Sequence, residues 1–170
     1  MKTIGVLALQ GAFREHIHAI KALGHAAKEV RTLSELEGID GLILPGGEST
    51  AMGKLLDDFH MKGPLATRIQ DGLPVWGTCA GMILLAKALD GDSTTHLGVM
   101  DITVRRNAYG SQLDSFTVHE VIEGVSDQPI PLVFIRAPFI VDAGEQVELI
   151  HEVSGNIVAA RQGNMLVTSL

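Results

Sequence analysis

The sequence predicts a single α/β domain, residues 1–170, built on a doubly wound and mostly parallel sheet with helices on both faces. Two observations predict it. In the first half of the chain, near-continuous apolar runs, typical of strands buried on both faces, alternate with segments of helical periodicity. In the second half, short strand-like segments follow one another across turns that contain Gly, Asp or Asn, which predicts antiparallel additions to the sheet.

The first helix illustrates how the elements of the first half are placed. Ile17, Ile20 and Leu23 recur at helical spacing and should form its buried face, and Gly24 just past its end is a typical stop. The predicted elements are, in order, strand 3–9, helix 14–23, strand 26–31, a short helix from Ser34, strand 40–45, a helix from Ser49 or Thr50 to Phe59, a helix from about Pro64 to Gly72, strand 73–78 and helix 79–89.

End signals support three of these helices. Ser34 and Glu37 have the spacing of a capping box. Ser49 or Thr50 is expected to cap the helix after the third strand, because hydroxyl side chains accept from the free N–H groups there. Pro64 suits the first turn of the next helix, where its missing N–H costs nothing.

The second half is expected to be rich in strands. Gly155-Asn156, between two apolar segments, is a hairpin signal. The predicted strands are 102–106, 115–122, 132–136, 146–153, 156–160 and 165–170.

The composition excludes several classes of function. A net charge of −7 and a pI near 5.4 argue against a nucleic-acid partner, because phosphate binding needs a basic face. No apolar stretch approaches the ~20 residues that cross a bilayer, so no membrane partner is expected. Cys79 is the one cysteine; no internal disulfide can form, and a reducing, cytoplasmic location is expected.

The sharpest local motif is Gly77-Thr78-Cys79-Ala80-Gly81, between a predicted strand and helix. Such a turn presents its central residue as a nucleophile, and its flanking residues must be small where strand and helix approach. The helix dipole is expected to lower the pKa of the Cys79 thiol, and the N–H of Ala80 can stabilise an oxyanion. The alternative is a buried structural cysteine, the commoner role of a lone Cys; the two glycines favour the nucleophile.

A second motif, Pro45-Gly46-Gly47-Glu48-Ser49, follows the third predicted strand. Ligands of such sheets bind outside the carboxyl ends of the strands, and two glycines allow the backbone to approach a substrate. The alternative is an ordinary Gly-Gly turn. The motif gains weight because it falls on the same sheet edge as Cys79.

Together the motifs resemble the class I, triad-type glutamine amidotransferases, and within them the glutaminase subunits of pyridoxal 5′-phosphate synthase. The resemblance covers residues 1 to 170 and implies a flavodoxin-like sheet. It rests on the segments Gly5-Val6-Leu7-Ala8-Leu9-Gln10-Gly11-Ala12, Arg14-Glu15-His16, Leu44-Pro45-Gly46-Gly47-Glu48-Ser49-Thr50, Gly77-Thr78-Cys79-Ala80-Gly81, Arg106-Asn107-Ala108-Tyr109-Gly110, Asp114-Ser115-Phe116 and Phe134-Ile135-Arg136-Ala137-Pro138.

The resemblance implies a glutamine amidohydrolase that releases ammonia from L-glutamine through a thioester on Cys79. The ammonia would pass to the synthase subunit in a hetero-oligomer for vitamin B6 biosynthesis, and no cofactor or metal ion is expected. Gln10 would lie near the oxyanion hole or the partner face, and Arg105 is expected to be a solvated charge. The oxyanion hole would be Gly47 and Ala80, and the substrate would contact Gly46, Gly47, Glu48, Ser49, Arg106, Ile135 and Arg136.

Two departures from the family pattern are visible. Ser111 stands where the family usually has arginine. The family's His-Pro-Glu, whose His and Glu complete the triad, would follow the last strand, and the given sequence stops at Leu170. We therefore expect the domain as given to lack its triad turn and final helix and to hydrolyse glutamine slowly. All seven histidines are expected at the surface, and His60, His96, His119 and His151 have no adjacent carboxylate motif.

Two alternatives stay open at this stage. One is the glutaminase subunit of another class I amidotransferase, which would serve a different acceptor. The other is a non-catalytic binding module on the same fold, which the missing His and Glu would suit.

Overall fold

The computed structural model describes residues 1–106 and 115–170. Motif residues Asn107 to Gly110, and Ser111, lie outside the described residues. The elements are β1 Thr3–Leu7, α1 Phe13–Ala22, β2 Ala26–Val30, a 3₁₀ helix Leu33–Leu36, β3 Gly41–Leu44, α2 Ser49–Asp58, α3 Lys62–Gln70, β4 Val75–Thr78, α4 Ala80–Leu85, β5 Ala86–Leu89, β6 Met100–Arg105, β7 Ser115–Glu120, β8 Ile130–Ile135, β9 Phe139–Ala143, β10 Glu148–Val153, β11 Asn156–Gln162 and β12 Met165–Thr168.

A parallel sheet in the order β2-β1-β3-β4-β12 forms one half of the fold. Its strands are short and largely apolar; all four residues of β3 are buried. Strands buried on both faces need covering layers on both sides, which the helices between them supply. The predicted flavodoxin-like α/β fold is confirmed.

The sheet continues past β12 with antiparallel strands in the order β11-β9-β6, while β5 adds to β6 in parallel. β10 pairs with β11 off this path. Within the described residues these strands and the parallel ones make a sheet of ten. β7 and β8 form a separate antiparallel hairpin.

Side chains of the parallel strands alternate between two apolar clusters, one on each face. Val6 packs with Ile20 of α1 and Ile43 of β3 on one face. Leu7, the next residue, belongs to the larger cluster on the other face, which includes Leu56 of α2. This alternation is the period of two expected for a strand, so one strand contributes to both layers.

A third apolar cluster attaches the β7–β8 hairpin to the main sheet. The buried side chains of Leu132 and Phe134 pack with Val153 of β10 and Val158 of β11. The Phe134 ring stacks on Phe116 with centroids 4.8 Å apart. The hairpin is therefore a second structural unit fixed to the sheet by its inward face.

Several predicted boundaries were wrong because tertiary pairing decided them. The helix predicted over 79–89 ends at Leu85, and Ala86–Leu89 forms β5, paired with β6. An apolar run of this kind suits a helix or a strand equally, so pairing overrides propensity. Strand β9, Phe139–Ala143, was not predicted at all.

Two end signals and one residue of a helix face were also assigned wrongly. The hairpin turn is Ser154-Gly155, both at positive φ, one residue earlier than predicted. The capping box uses Thr32, whose N–H donates to Glu35 at 3.0 Å, two residues before Ser34. Leu23 is 77% exposed at the end of α1, outside the apolar face assigned to it.

No helix in the described ranges 1–106 and 115–170 is long and apolar enough to cross a membrane.

We expect Gly81→Ala to destabilise the fold on the order of 3 kcal/mol, because a Cβ built there would lie 2.1 Å from the Leu44 carbonyl oxygen. Gly63→Ala, also helical, is the matched control: nothing lies within 4 Å of its Cβ position, and it should stabilise by about 0.5–1 kcal/mol. Urea unfolding followed by the fluorescence of Trp76 would measure both. Equal effects of the two substitutions would contradict the steric argument.

Candidate active site

Cys79 occupies a sharp turn between β4 and α4. Its backbone has φ 50° and ψ −105°, a conformation that costs a non-glycine residue about 1–3 kcal/mol. Its N–H donates to the Thr168 carbonyl at 2.8 Å, and its carbonyl accepts from Met82 at 3.0 Å. These bonds from the neighbouring strand and the first turn of α4 hold the strained residue in place.

The two glycines of the motif are needed because a side chain at either position would clash with neighbouring backbone, as predicted. A Cβ on Gly81 would overlap the backbone of Leu44 in β3, and one on Gly77 would lie 2.6 Å from the Gly81 carbonyl carbon. Helix α4 therefore packs directly against the strands that carry it. Any larger side chain at either position would move the turn that presents Cys79.

The Gly46-Gly47 loop lies beside Cys79. A Cβ on Gly46 would sit 3.6 Å from the Cβ of Cys79, an ordinary contact. Gly47 has φ 153°, and a Cβ there would be 2.5 Å from the side-chain oxygen of Gln10. The loop is held from the other side, because Ala12 donates to the Gly46 carbonyl at 2.9 Å.

One cavity of about 500 Å³ collects the predicted site residues. Cys79, Ala80 and Gly46 to Ser49 line it together with Arg106, Ile135 and Arg136. Gln10 is not among the lining residues. Its Oε1 accepts a hydrogen bond of 2.9 Å from the N–H of Glu48, which does line the cavity. The lining residues that sequence reasoning did not single out are Ala12, Ile83, Val133, Pro138, Ser169 and Leu170.

The hairpin forms the wall opposite the sheet edge. Val133 and Ile135 are 49% and 62% exposed and line the cavity with Arg136. Arg136 has φ 46°, an uncommon value for a residue with a side chain, at the end of β8. The cavity is thus closed by a unit that is separate from the sheet carrying Cys79.

Glu48 caps α2, a role that we had predicted for Ser49 or Thr50. Its carboxylate accepts from the N–H groups of Thr50 at 3.1 Å and Ala51 at 2.6 Å. Partial burial raises the pKa of the Glu48 carboxyl, but these hydrogen bonds outweigh it. With the nearby Arg106 guanidinium they hold the pKa below its ordinary value, so Glu48 is ionised at neutral pH.

Arg106 lies between two carboxylates at the edge of the cavity. Its Nη2 donates to the Thr50 hydroxyl at 3.2 Å and lies 3.7 Å from Glu48 Oε1. Its Nη1 lies 3.6 Å from Asp92 Oδ2. Arg105 is engaged elsewhere, with Asp90 at 2.8 Å, and is exposed, as expected.

Comparison with known proteins decides the family. The sequence pattern of the SNO glutamine amidotransferase family matches residues 6–170. The chain belongs to this family. The subunit PdxT of pyridoxal 5′-phosphate synthase from Ruminiclostridium cellulolyticum is 54% identical over 170 residues, which cover 99% of this chain and 90% of that protein. The subunit PdxT from Clostridium kluyveri is 55% identical over 166 residues, covering 98% of this chain and 88% of that one.

A solved structure agrees with these relatives. A crystal structure described as a glutamine amidotransferase matches this fold with a TM-score of 0.91 at 45% identity, covering 98% of this chain and 88% of that one. The resemblance inferred from the motifs, including that to the glutaminase subunits of pyridoxal 5′-phosphate synthase, is confirmed.

The environment of the amidotransferase cysteine corrects one expectation. Burial raises the pKa of the Cys79 thiol above its ordinary value, and the hydrogen bond from the Ala80 N–H offsets this only in part. Helix α4 spans six residues instead of the eleven predicted, so fewer aligned peptide dipoles act on the sulfur. The net shift of the thiol pKa is therefore upward, opposite to the lowering predicted from the helix dipole.

The histidines also depart from the expectation that all seven lie at the surface. His96 is 9% exposed, and neither ring nitrogen has a partner among the described residues. His151 forms a hydrogen bond with the Glu120 carboxylate, so it does have an acidic partner. Burial lowers the pKa of His16, which Glu15 opposes.

Two further features of the described residues bear on ligands. No group of three or more His, Cys, Asp or Glu side chains there could hold a metal ion. The hydroxyl of Ser169, fully buried at the cavity, finds no hydrogen-bond partner among the same residues.

The reactivity of Cys79 should reflect its burial. We expect its alkylation by iodoacetamide to rise with pH to a midpoint above about 8.5, the ordinary thiol value, because only the thiolate reacts. The urea-unfolded chain is the matched control and should show the ordinary midpoint with the same single thiol. A folded-state midpoint below that of the unfolded chain would restore the dipole argument.

His96 should make the fold sensitive to acid. Burial lowers the pKa of His96 below 6.5, with Lys62 and Arg106 acting in the same direction. Below pH 6.5 the unfolded chain therefore binds more protons than the folded chain, and stability falls as the pH falls. We expect His96→Leu to lose less unfolding free energy than the unsubstituted protein between pH 7 and pH 5.

His18→Gln is the control for this prediction, because His18 is exposed. Denaturant unfolding at both pH values would measure the difference. If His96→Leu and His18→Gln keep the same pH dependence as the unsubstituted protein, His96 is not the acid-sensitive group.

Proposed function

We propose that this chain is the glutaminase subunit of pyridoxal 5′-phosphate synthase, which hydrolyses the side-chain amide of L-glutamine and passes ammonia to the synthase subunit. The observation that carries the proposal is that Cys79, the Gly46-Gly47 loop, Arg106 and Arg136 line the same cavity. The curated relatives reported above, named as that enzyme's PdxT subunit, support it at 54% and 55% identity.

The proposed reaction is acyl transfer through the cysteine. The Cys79 thiol gives its proton to a base, and the thiolate attacks the carboxamide carbon to form a C–S bond. The base returns that proton to the amide nitrogen, and the C–N bond breaks to release ammonia. Water then hydrolyses the glutamyl thioester, giving glutamate and the free thiol. The N–H groups of Gly47 and Ala80 would stabilise the negative oxygen of each tetrahedral intermediate.

The substrate's other end carries a carboxylate and an ammonium group. Arg106 and Arg136 suit the carboxylate, because a guanidinium offers paired donors in one plane. Glu48, which is ionised at the N-terminus of α2 and lines the cavity, suits the ammonium group. The backbone of Gly46, Ser49 and Ile135 completes this contact in the proposal.

A proton acceptor is also required, because burial keeps the Cys79 thiol protonated at neutral pH. The described residues that line the cavity include no histidine, and the pKa of the Glu48 carboxyl lies below its ordinary value, which makes its carboxylate a weak base. The described wall therefore supplies the nucleophile, the oxyanion donors and the substrate anchors, and the proposal needs a base in addition to them.

The partner and the location belong to the same proposal. The synthase subunit would receive the ammonia in a hetero-oligomer, with Gln10 lying just behind the wall of the cavity. A cytoplasmic location follows from the chemistry, because a reducing compartment keeps Cys79 as a thiol.

The assignment of Cys79 predicts selective labelling by an electrophilic glutamine analogue. Intact-protein mass spectrometry should show one adduct on the unsubstituted protein, with and without the synthase subunit, and none on Cys79→Ala, since no other cysteine is present. Ammonia release measured on the same samples should disappear with Cys79→Ala.

Each alternative has its own outcome. Labelling of Cys79→Ala to the same extent would remove the residue from the reaction. Adduct formation on Cys79, with ammonia release that the synthase subunit leaves unchanged, would favour another class I amidotransferase. Glutamine binding with neither adduct nor hydrolysis would favour a non-catalytic binding module.

A further inference from the structure

Two neighbouring arginines are paired with two aspartates of one turn. Strand β5 ends in a turn over residues 89–92, closed by the N–H of Asp92 donating to the Leu89 carbonyl at 3.3 Å. Asp90 on this turn binds the exposed Arg105. Asp92, two residues on, lies against Arg106, which lines the cavity.

Asp92 is held in a defined orientation. Its Oδ1 accepts from the Thr94 N–H at 2.8 Å, which leaves Oδ2 toward Arg106 Nη1 at 3.6 Å. Hydrogen bonds from the Thr94 N–H and hydroxyl lower the pKa of the Asp92 carboxyl, and Arg106 acts in the same direction. Asp92 therefore presents a fixed negative charge at neutral pH, although it does not line the cavity itself.

Among the described residues, the guanidinium of Arg106 lies between two carboxylates and donates one hydrogen bond, from Nη2 to the Thr50 hydroxyl at 3.2 Å. Glu48 lies 3.7 Å from Nη2 and Asp92 lies 3.6 Å from Nη1, both beyond normal hydrogen-bond length. The terminal nitrogens therefore keep donor capacity for a ligand. Without Asp92, attraction to Glu48 alone would draw the guanidinium into a closed pair and use up the donors that face the cavity.

We propose that Asp92 is a positioning residue. It keeps the Arg106 guanidinium from pairing closely with Glu48, so that the guanidinium donors stay available for the carboxylate of the substrate. This rests on the proposed glutaminase function, because it takes that carboxylate as the α-carboxylate of L-glutamine. Asp92 acts only through Arg106 and touches neither the substrate nor Cys79.

Asp92→Asn tests this without disturbing the turn, because the asparagine oxygen can still accept from the Thr94 N–H while the charge is lost. Asp90→Asn removes the neighbouring charge of the Arg105 pair and is the matched control. In a Cys79→Ala background, isothermal titration should give an L-glutamine Kd about two- to fivefold higher for Asp92→Asn. The Kd of Asp90→Asn should be unchanged.

A double-mutant cycle separates positioning from a general structural effect. Arg106→Ala alone should raise the Kd roughly 10- to 100-fold, since it leaves the substrate carboxylate unpaired. Adding Asp92→Asn to Arg106→Ala should then have no further effect. The same twofold to fivefold loss in both backgrounds would overturn the inference.

A second readout does not depend on glutamine. Side-chain ¹⁵N relaxation should show the Nε–H group of Arg106 becoming more mobile in Asp92→Asn and not in Asp90→Asn, and the converse for Arg105. If the chain binds no glutamine, the proposed function fails while this measurement still decides the role of Asp92. If the Nε–H group of Arg106 is as rigid in Asp92→Asn as in the unsubstituted protein, that result alone would overturn the inference.

Discussion

The candidate site depends on the close approach of α4 to the end of β3. Gly81 brings the helix backbone so near Leu44 that no Cβ fits between them, and Gly77 permits a second close approach, of α4 to β4 at Gly81. This packing forces the backbone reversal at Cys79, which Thr168 then fixes from the next strand. It also brings the Gly46-Gly47 loop beside the sulfur, because that loop is simply the continuation of β3. Two motifs that are more than thirty residues apart in sequence are therefore joined by one steric contact.

Local patterns were enough to predict the parallel half of the fold. β1, β3 and β4 are apolar runs with turn residues at their ends, and their burial on both faces leaves little choice of conformation. Patterns failed where partners from distant segments decide. The Ala86–Leu89 segment is a strand only because β6 lies next to it, and β9 is defined by β6 and β11 on either side.

The site was predictable to the extent that its residues lie in short motifs. Cys79, its two glycines and the Gly46-Gly47 loop were found from spacing, and Arg106, Ile135 and Arg136 from the family resemblance. The pKa of the Cys79 thiol could not be predicted, because its burial depends on everything that packs around the sulfur. The buried His96 and the partners of Arg106 were missed for the same reason, because they depend on segments far apart in the chain, such as Thr50 and Arg106 at a separation of 56 residues. The cap formed by Glu48 is local, but a carboxylate and two hydroxyl side chains stand next to one another there, and the pattern did not show which of them accepts from the N–H groups of Thr50 and Ala51.

The two walls of the cavity come from units with separate apolar cores. Cys79 and the Gly46-Gly47 loop follow strands of the sheet beside its large cluster, whereas Val133, Ile135 and Arg136 lie in or just after a hairpin that packs on β10 and β11 through a second cluster. The proposed nucleophile and the Ile135 and Arg136 part of the cavity therefore lie in different parts of the fold. Substitutions of Val133 or Ile135 would change the hairpin wall and leave the strained Cys79 turn intact. For evolution and for protein engineering alike, one wall of the cavity can therefore be replaced while the other wall stays as it is.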